Sequence, residues 1–580
     1  MTVRASPGET AAAFQPFRIN RLELRNRIFM PAHTTNFGAE HLPSARHVAY
    51  HRERAAGGVA LIIFEAIRVM ENTLGRPQGV CGYLPESIPA FRAVADAVHE
   101  GGAAFIAQIC HMGRQIEGEY ERTVSWGASP IRWSLGSYPP RQMNRRDMQQ
   151  VIDGHLRTAE NMLKAGADGI ELHWGHGHLL QQFLSPLSNQ REDEYGGSTE
   201  NRLRFPLEVA RRLREALGPE VCLGVRISAY HMSRSLGTQM ADMAIDPAPF
   251  RILPARIRRA AAQSRQPVAI LTVCKYRSLE DVESMLASGG ADMVGLARAH
   301  VAEPQWVAKW QAGRGGEVQP CIGCNQGCAQ NLERNIALTC LVNPRAGREA
   351  IWPPVSAVPA ERSRAVWVIG GGPAGLEAAA VAAERGHRVT LWEREATLGG
   401  RLALAASLRL REDFGLWLGF AQRRLERLGV VCRFGVDVTV EAIAAARPDH
   451  VMLATGALPA VQVLADGTRA LTLDDGARLS ATGQGVAVYD ETGDWGTLGL
   501  VEHLAASGAR VTLLTPAAGV LWRTTVYSTT TTYARWRERG IRIRTLRRPL
   551  GLNAGRLQLE DTSCGEHEVI EGIDHLVGVM

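Results

Sequence analysis

The chain has 580 residues, enough for several domains, and 45% hydrophobic with 21% charged residues is typical of a globular protein. The net charge of +6 arises from 65 basic and 59 acidic residues, and no basic block indicates nucleic-acid binding. The sequence holds no apolar run of about 18 residues and no apolar N-terminal segment, so we expect a cytoplasmic protein without a membrane span.

The first half of the chain alternates short apolar runs with helical patterns such as Ile88–Glu100 and Gln150–Ala165. This alternation predicts an α/β fold with a (β/α)8-type TIM barrel. Seven strands are predicted, at Arg27–Ala32, Val59–Glu65, Ala104–Cys110, Gly169–His173, Cys222–Ser228, Val268–Val273 and Met293–Ala297. Between Ser228 and Val268 there is one helical run, near Leu253–Ala262, so the eighth strand is either missing or unrecognisable.

The second half predicts Rossmann-like nucleotide-binding domains. The proline-rich segment Ile351–Pro359 is typical of a linker. The apolar run Ala365–Ile369 leads into GGGPAG, a helix and RVTLWER, the opening of a βαβ unit, and a weaker βαβ pattern runs from GVAVYDETGDWG to RVTLLTP at Arg510. We predict four segments: a barrel over 1–315, a cysteine-rich segment over 316–350, a Rossmann-like domain over 351–470 and a second nucleotide-binding-like subdomain over 471–580.

Four cysteines have the spacing C-x2-C-x3-C-x11-C, at Cys321, Cys324, Cys328 and Cys340. Four thiolates this close can ligate a 4Fe–4S cluster or a structural zinc ion. Zinc modules usually use two C-x2-C pairs and this segment has one, so the spacing favours the cluster. In a chain without an export signal, disulfides are not expected.

Gly370, Gly372 and Gly375 form a GxGxxG motif between a predicted strand and a predicted helix. Glycines at these positions allow a tight turn, close approach of a pyrophosphate and close packing of helix on strand. Glu393 ends the next strand, where a carboxylate can bond a ribose 2′-hydroxyl. The pattern predicts binding of FAD, ADP or NAD(H).

The corresponding turn of the second βαβ pattern is acidic, reading DETGDWG. Asp490, Glu491 and Asp494 would repel a pyrophosphate. An ordinary solvated acidic turn is the favoured interpretation, and direct binding of NAD(P)H there is not expected.

The segment ELHWGHGHLL places His173, His176 and His178 at the carboxyl end of a predicted strand, the face on which barrel sites are built. Imidazoles there can bond a substrate carbonyl or carboxylate and stabilise developing negative charge. A zinc site is the alternative, although no acidic or cysteine ligand is evident nearby. Polar residues occupy the same topological position on other strands: Thr34, Gln108, His111, Arg226, Lys275 and Arg298.

A family resemblance rests on RNRIFMPAH, AQICHMGRQ, GADMVGLARAHVAEP and the long run ADGIELHWGHGHLLQQFLSPLSNQREDEYGGSTENRLRF. From residue 14 to about residue 345 the chain resembles the flavin-binding barrel of the old yellow enzyme family. The cysteine spacing and the GGGPAG domain follow in the order of its multidomain branch, which includes 2,4-dienoyl-CoA reductase and trimethylamine dehydrogenase.

The resemblance implies FMN in the barrel, with a 4Fe–4S cluster relaying electrons to FAD or ADP in the second half. Arg226 would lie beside N1 and O2 of the flavin, and His173 and His176 match the substrate-binding pair. The other residues implied for FMN are Pro31, Ala32, Thr34, Gln108, Lys275, Ala297 and Arg298. Those implied for the second nucleotide are Gly370, Gly372, Gly375, Glu393, Gly400, Arg401 and Gly456.

The chain departs from the family at several positions. His178 replaces the tyrosine that donates a proton in the family, and an imidazole can still donate one. Thr34 stands where trimethylamine dehydrogenase carries its flavin-linking cysteine, so a covalent flavin is not expected. Cys274 replaces a glycine of the phosphate turn, where its Cβ could crowd the phosphate and Lys275 could compensate. The chain stops at IDHLVGVM, short of the segment that contacts the FAD ribityl chain in the family, which leaves FAD retention open.

These features predict an oxidoreductase that reduces an activated C=C bond. His173 and His176 would polarise the substrate carbonyl, FMN would give hydride to the β-carbon, and His178 would protonate the α-carbon. One alternative is oxidation of an N-methylated amine with electrons leaving to a carrier protein, and another is a degenerate, non-catalytic member of the family. The expected partner is a small-molecule substrate, with a carrier protein and a second copy of the chain as further alternatives, and neither nucleic acid nor membrane is expected.

Overall fold

A computed structural model describes residues 11–116, 123–134, 137–228, 240–263 and 268–580. The chain divides into two compact units. The first comprises Met1–Ala241, Ile245–Cys321 and Asn325–Trp352, and the second comprises Asp242–Ala244, Ile322–Cys324 and Pro353–Met580. In the part of the chain that the structure describes, no helix has both the length and the apolar character needed to cross a membrane.

The first unit is built from strands that alternate with helices. Its strands are β1 (Phe17–Ile19), β2 (Leu22–Leu24), β3 (Ile28–Met30), β4 (Leu61–Arg68), β5 (Ala104–Cys110), β6 (Trp126–Gly127), β7 (Arg141–Gln142), β8 (Gly169–Trp174), β9 (Cys222–Ile227), β10 (Leu271–Thr272) and β11 (Met293–Gly295). Its helices are α1 (Ala45–Ala56), α2 (Ser87–Glu100), α3 (Arg145–Lys164), α4 (Leu179–Leu184), α5 (Thr199–Leu217), α6 (Leu253–Ala261), α7 (Leu279–Ala287), α8 (Ala297–Ala302), α9 (Trp306–Gln311) and α10 (Asn331–Glu333).

Seven of these strands form one curled sheet in the order β10-β11-β3-β4-β5-β8-β9, in which every neighbouring pair is parallel. This is the parallel sheet of a (β/α) barrel, as the sequence predicted. The described residues between β9 and β10 contribute α6 but no strand, so that among them β9 and β10 each have one neighbouring strand in this sheet. Residues 229–239 and 264–267, part of the interval in which an eighth strand was sought, lie outside the described residues.

The strands differ from their predicted bounds where pairing or capping decides the length. The predicted strand Val268–Val273 shortens to the two residues of β10, because only these pair with β11. The predicted strand Met293–Ala297 ends at Gly295, because Ala297 begins α8. Helix α3 begins five residues before the predicted Gln150, since Asn144 and Asp147 form a capping box there.

The second unit contains two parallel sheets of the same topology. Its strands are β12 (Ala365–Ile369), β13 (Arg388–Glu393), β14 (Val431–Phe434), β15 (His450–Leu453), β16 (Gly485–Asp490), β17 (Arg510–Leu514), β18 (Arg542–Arg544), β19 (Arg547–Asn553), β20 (Arg556–Asp561), β21 (His567–Glu571) and β22 (His575–Val579). Its helices are α11 (Pro373–Glu384), α12 (Arg401–Ser407), α13 (Phe414–Arg427), α14 (Val440–Ala446), α15 (Leu473–Arg478), α16 (Trp495–Ala506) and α17 (Val526–Glu538).

The two sheets have the orders β14-β13-β12-β15 and β18-β17-β16-β22. In each sheet, the strand that comes first in the chain pairs on one side with the second strand and on the other side with the last strand. This repeated arrangement is that of two Rossmann-like halves, as predicted. Strand β22, from the terminal IDHLVGVM, pairs in parallel with β16. A third, antiparallel sheet, β19-β20-β21, was not predicted from the sequence.

Candidate active site and nucleotide turns

The predicted site residues of the first unit lie in or directly after six strands of its curled sheet. Thr34 follows β3, Gln108 is in β5, His173 is in β8, Arg226 is in β9, Lys275 follows β10, and Ala297 with Arg298 follows β11. Because all seven strands are parallel, their carboxyl ends lie at one edge of the sheet. The fold therefore brings the residues predicted for the barrel to a single face.

A buried polar group joins three neighbouring strands of this face. The Gln108 amide donates a hydrogen bond from Nε2 to Oε1 of Glu171, at 2.6 Å. Burial raises the pKa of Glu171, opposed by the positive charge of Arg226 and by the Gln108 hydrogen bond. Sequence reasoning missed Glu171, although an acidic residue on the same strand as His173 and two positions before it was the available signal.

Arg226 is a half-buried guanidinium on β9. Its Nη1 lies 3.5 Å from the Ala32 carbonyl oxygen, a long contact. Partial burial lowers its pKa, while Glu171 and Cys274 act in the opposite direction. Directly after β3, the carbonyl oxygen of Pro31 lies 2.9 Å from His33 Nδ1. A cation beside the strand ends suits an anionic ligand group.

The turn after β8 carries the three histidines on an unusual backbone. His176 has a φ of +58°, in the left-handed region that few residues other than glycine occupy. Its N–H donates to Ser228 Oγ at 3.0 Å, and its carbonyl oxygen accepts from Gln115 Nε2 at 2.8 Å. The Gly177 carbonyl oxygen accepts from Gln182 Nε2 at 2.8 Å. These supporting residues, which the sequence did not single out, hold the turn.

The three imidazoles form a compact cluster, which we call the histidine triad. Ring centroids of His173 lie 4.8 Å from those of His176 and 4.7 Å from those of His178, and the His176 and His178 rings are 6.3 Å apart. One ring nitrogen from each of the three lies within 4.8 Å of the other two. His178 Nδ1 is buried and has no hydrogen-bond partner.

Burial and positive charge keep the histidine triad neutral. Burial, followed by the charge of Arg68, Arg76 and Arg226, lowers the pKa of His178 to about 3. The pKa values of His173 and His176 lie well below the usual imidazole value, with burial again the largest cause. His111, which directly follows β5, also has a pKa lowered to about 3, first by burial. At neutral pH these rings can each donate one hydrogen bond and accept another.

The turn after β10 has a backbone that suits glycine. Cys274 has a φ of +105° and Lys275 a φ of +54°. A side chain at the first of these angles is strained, because L-residues rarely adopt it. Lys275 Nζ bonds the Ile245 carbonyl oxygen. Cys274 therefore adopts a backbone conformation typical of glycine, the residue that the family resemblance implies at this position.

Arg298 connects the strand ends to the cysteine segment within the first unit. Its Nη1 donates to Asn325 Oδ1 at 2.6 Å, and Asn325 Nδ2 donates to the Met240 carbonyl oxygen at 2.6 Å. Burial raises the pKa of the Cys328 thiol; the charge of Arg298 opposes this and that of Cys321 adds to it. Burial and the charges of Cys321 and Cys328 raise the pKa of Cys340 to about 12. The charge of Cys321 thus affects the pKa values of Cys328 and Cys340, so three of the four predicted ligands interact electrostatically. No disulfide joins any of the four cysteines.

In the second unit, the GxGxxG turn has the geometry that its glycines predict. A Cβ on Gly375 would lie 1.8 Å from the Gly370 carbonyl oxygen, and one on Gly370 would lie 2.3 Å from the Ala454 carbonyl oxygen. A Cβ on Gly372 would meet no atom within 4 Å. Gly370 and Gly375 thus permit close packing, whereas Gly372 borders open space at the start of α11.

Glu393 ends β13 next to this turn, as predicted. Its Oε2 accepts a hydrogen bond from the Gly371 N–H at 2.6 Å. Gly400, with a φ of +51°, caps α12, and Arg401 pairs with Asp474 at 2.8 Å. Gly456 has a φ of +73° and open space around its Cα. The predicted residues for the second nucleotide therefore follow parallel strands or begin helices of the first Rossmann-like half.

The acidic turn after β16 uses its carboxylates on its own backbone. Asp490, which is buried, accepts hydrogen bonds at Oδ1 from the N–H groups of Thr492 and Gly493, both at 2.9 Å. Asp494 caps α16 by accepting from the Gly496 N–H at 2.9 Å. The amides that would meet a phosphate are thus bonded to carboxylates. The prediction of an ordinary solvated turn was wrong for Asp490, because this carboxylate is buried. It organises the turn through its hydrogen bonds to the backbone.

Comparisons with known proteins agree with this architecture. Residues 12–248 match the NADH:flavin oxidoreductase / NADH oxidase family, and residues 368–416 match an NAD(P)-binding Rossmann-like domain. The chain is 36% identical over 481 residues to an NADH oxidase of Thermoanaerobacter brockii, covering 77% of this chain and 73% of that protein. It is 32% identical over 530 residues to a multifunctional alkene reductase/demethylase of Caballeronia cordobensis, covering 86% and 77% respectively. Histamine dehydrogenase from Rhizobium sp. 4-9 superposes with a TM-score of 0.89 at 26% identity, covering 98% of this chain and 89% of that one.

Proposed function

The chain belongs to the NADH:flavin oxidoreductase / NADH oxidase family, and from this premise we propose that it reduces a C=C bond activated by a neighbouring carbonyl. It is a flavin-dependent oxidoreductase, and FMN held at the strand ends of the first unit would supply the hydride. The observation that carries the proposal is the compact histidine triad at the face of the barrel sheet that also carries Arg226. A similar alkene reductase/demethylase supports the choice of substrate bond.

The residues of the first unit fit a flavin. Arg226 offers a half-buried positive charge, and Gln108 an amide, both on the face where the strands end. We assign Arg226 to the N1 and O2 side of the ring, Gln108 to the pyrimidine end, and Pro31, Ala32 and Thr34 to the reactive edge. The turn around Cys274 and Lys275, with Ala297 and Arg298, is assigned to the phosphate.

His173 and His176 act as hydrogen-bond donors to the substrate carbonyl. A neutral imidazole N–H stabilises negative charge as it develops on that oxygen, and donors fixed by a folded turn need no reorganisation during the reaction. His176 is fixed in this way by its bonds to Ser228 and Gln115. Replacing either histidine by alanine is therefore expected to reduce turnover more than substrate binding.

His178 protonates the α-carbon in this proposal. Because its pKa is lowered to about 3, it is neutral at pH 7 and must take up a proton from water during turnover. The rate of the protonation step should consequently rise as the pH is lowered through the neutral range. His178→Tyr restores the family's phenolic donor, whereas His178→Phe removes the donor.

The decisive experiment follows the flavin. The purified holoenzyme is reduced with light under anaerobic conditions and mixed with enones and enoyl thioesters, and flavin absorbance is recorded. We expect rapid reoxidation by at least one substrate, with His178→Phe slower by about 100-fold and His178→Tyr close to the parent. Absence of reoxidation by every substrate, in protein with full flavin content, would contradict the proposal.

A second candidate function is oxidation of an N-methylated amine. Hydride leaves an amine only when its nitrogen is unprotonated. The positive charges that lower the imidazole pKa values, above all that of Arg226, would also lower the pKa of an amine bound beside the triad and favour its neutral form. Electrons would leave to a carrier protein. Anaerobic bleaching of the flavin by a methylated-amine panel without NAD(P)H would establish it, and rapid reduction by NADPH without such bleaching would eliminate it.

We also propose a 4Fe–4S cluster on Cys321, Cys324, Cys328 and Cys340. The raised pKa values of Cys328 and Cys340, increased by the charge of Cys321, fit thiols that lie near one another and become thiolates once a cationic cluster is present. The cluster would pass electrons between the FMN and the second unit. Analysis for iron, sulfide and zinc distinguishes four iron atoms per chain from one zinc ion.

The second nucleotide is assigned to the GxGxxG turn. Open space beside Gly372 fits a pyrophosphate, and Gly370, Gly375, Glu393, Gly400, Arg401 and Gly456 complete the proposed contacts. Acid extraction and chromatography of the bound nucleotides will show FAD or ADP beside FMN. The four proposed segments, 1–315, 316–350, 351–470 and 471–580, assign one cofactor role to each of the first three.

A further inference from the structure

The histidine triad has a second chemical character that the proposed reduction does not use. Three neutral imidazoles at one place are the ligand set of many zinc enzymes, in which three histidines hold the ion and a fourth position stays open. Among the described residues, this triad is the one group of three or more histidine, cysteine or acidic side chains compact enough to hold a single metal ion.

The distances allow a common ion. A tetrahedral zinc ion with Zn–N distances of about 2.1 Å places its ligand nitrogens about 3.4 Å apart. The triad nitrogens already lie within 4.8 Å of one another, so that rotations about the histidine side-chain bonds bring them into range. The second torsion of histidine is soft, and small rotations there require little energy.

Two rings of the triad carry a nitrogen that suits a metal ligand. His178 Nδ1 is buried without a hydrogen-bond partner. His173 Nδ1 accepts from the Gly175 N–H at 3.3 Å, a long contact that a metal bond can replace. A bond from either nitrogen to an ion would therefore cost little existing hydrogen bonding.

The charges around the triad set the strength of binding. Arg226 acts on all three imidazoles, and Arg68 and Arg76 act on His178, so that three guanidinium groups oppose a cation. A borderline-soft ion that bonds covalently to imidazole is less sensitive to this repulsion than a hard cation such as Mg²⁺. The site should therefore select zinc, copper or nickel and exclude magnesium and calcium.

We propose that His173, His176 and His178 form a three-histidine binding site for a divalent transition-metal ion of the zinc class, with its fourth position open to solvent or an anion. The ion occupies the nitrogens that the proposed function assigns to the substrate. It therefore acts as a reversible inhibitor that competes with the substrate, and only this inhibitory consequence rests on the proposed function.

The experiment measures zinc binding to the flavin-loaded holoenzyme by calorimetry, with iron content recorded before and after to show that the cysteine segment is unchanged. We expect one ion per chain with micromolar or tighter affinity, and no heat with Mg²⁺. His178→Tyr keeps an aromatic ring with a polar tip but removes a ligand nitrogen, and should weaken binding by at least about 10-fold. His176→Gln provides a second test should the first variant lose its flavin.

A matched control removes an exposed histidine of the same unit. His99 pairs with Asp168 at 2.8 Å on the surface, the kind of pair that collects ions nonspecifically, and His99→Gln should leave the affinity unchanged. An anomalous difference peak between the triad nitrogens in zinc-grown crystals would locate the ion. No binding up to about 1 mM, or binding that persists in both triad variants, would overturn the site.

Inhibition is measured separately. Competitive inhibition by zinc of whichever substrate reoxidises the flavin supports a shared site. Zinc that binds to the triad without slowing turnover would overturn the shared site and count against the substrate placement in the proposed function, while the metal site itself would stand on the calorimetry.

Discussion

The two units manage polarity at their strand ends in opposite ways. In the first unit, burial lowers the pKa of eight imidazoles; His33, His111, His173, His176 and His178 lie in or after strands of the curled sheet, and His51, His155 and His300 lie in helices. In the second unit, carboxylates bond to the turn amides, as Glu393 does to Gly371 and Asp490 to Gly493. The strand ends of the first unit therefore offer side-chain polar groups, whereas the corresponding turns of the second unit are organised around backbone N–H groups.

Side-chain groups and backbone amides suit different parts of a ligand. Neutral side chains on parallel strands can bond the edges of a ring or a carbonyl, whose charge changes during a reaction. Backbone amides at the start of a helix suit a fixed negative charge such as a phosphate. In the acidic turn the protein supplies that negative charge itself through Asp490, so the fold of a nucleotide site is retained while its amides are occupied.

The largest expected effect is a loss of folding stability of the first unit in acid, because that unit contains the buried imidazoles. His155 and His300 are fully buried, and burial lowers the pKa of each to about 4. The unfolded chain protonates both below about pH 6.5, whereas the folded unit resists until about pH 4, so stability falls as the pH decreases between these values. Each imidazole contributes about 1.4 kcal/mol per pH unit, or about 3 kcal/mol over the interval.

Urea unfolding at several pH values measures this effect. His155→Leu removes one titrating imidazole and leaves His300, and should make the dependence of unfolding free energy on pH shallower by one proton. An unchanged slope in this variant would show that the buried imidazole does not resist protonation.

In the second unit, a pair of glycine substitutions separates the packing role of the GxGxxG turn from its role in nucleotide binding. Gly375→Ala places a Cβ against the Gly370 carbonyl oxygen and should destabilise the second unit by about 3 kcal/mol. Gly372→Ala meets open space and should leave the melting temperature of the nucleotide-free protein almost unchanged while weakening binding of the nucleotide. Calorimetric melting and nucleotide content are the two readouts, and equal destabilisation by both changes would contradict this account of the turn.

The acidic turn is tested by freeing its amides. Asp490→Ala leaves the N–H groups of Thr492 and Gly493 without their acceptor and should destabilise the protein by about 2 kcal/mol. Asp490→Asn keeps an oxygen at the same position and should cost clearly less. Chemical denaturation of the two variants makes the comparison, and an alanine variant as stable as the asparagine variant would refute the role of the carboxylate.

The smallest expected effect concerns the strained turn of the first unit. Cys274→Gly removes the side chain from a residue with a φ of +105° and should stabilise the protein by about 1 kcal/mol. Cys274→Ala serves as the control, because it removes the thiol but keeps the Cβ. Thermal melting that shows the same gain for both variants would assign the effect to the thiol instead.

Sequence reasoning succeeded where local pattern decides the structure. Ala104–Cys110 was predicted with the bounds of β5, and the GxGxxG motif follows β12 directly and runs into the first turn of α11, as expected. Local pattern could not show the hydrogen bond between Gln108 and Glu171, because these residues meet only when β5 pairs with β8.

The histidine triad shows the same limit in its electrostatics. The sequence placed the three imidazoles together and allowed His178 to donate a proton, but it does not show that burial and three arginines distant in the sequence lower the pKa of this ring to about 3. Likewise, a solvated turn was expected at Asp490, and only the packed fold shows that this carboxylate is buried. Pairing, burial and distant charge are tertiary properties that a residue pattern does not contain.

Central and end strands of the curled sheet should differ in their resistance to local opening. Central strands β4 and β5 have partners on both sides, whereas β9 and the two-residue β10 each pair on one side among the described residues. Backbone amides of β4 and β5 should therefore exchange hydrogen for deuterium only on global unfolding, and those of β9 and β10 much sooner. Since β9 carries Arg226 and β10 leads into the Cys274 turn, the proposed flavin site would combine rigid central strands with end strands that open locally more often.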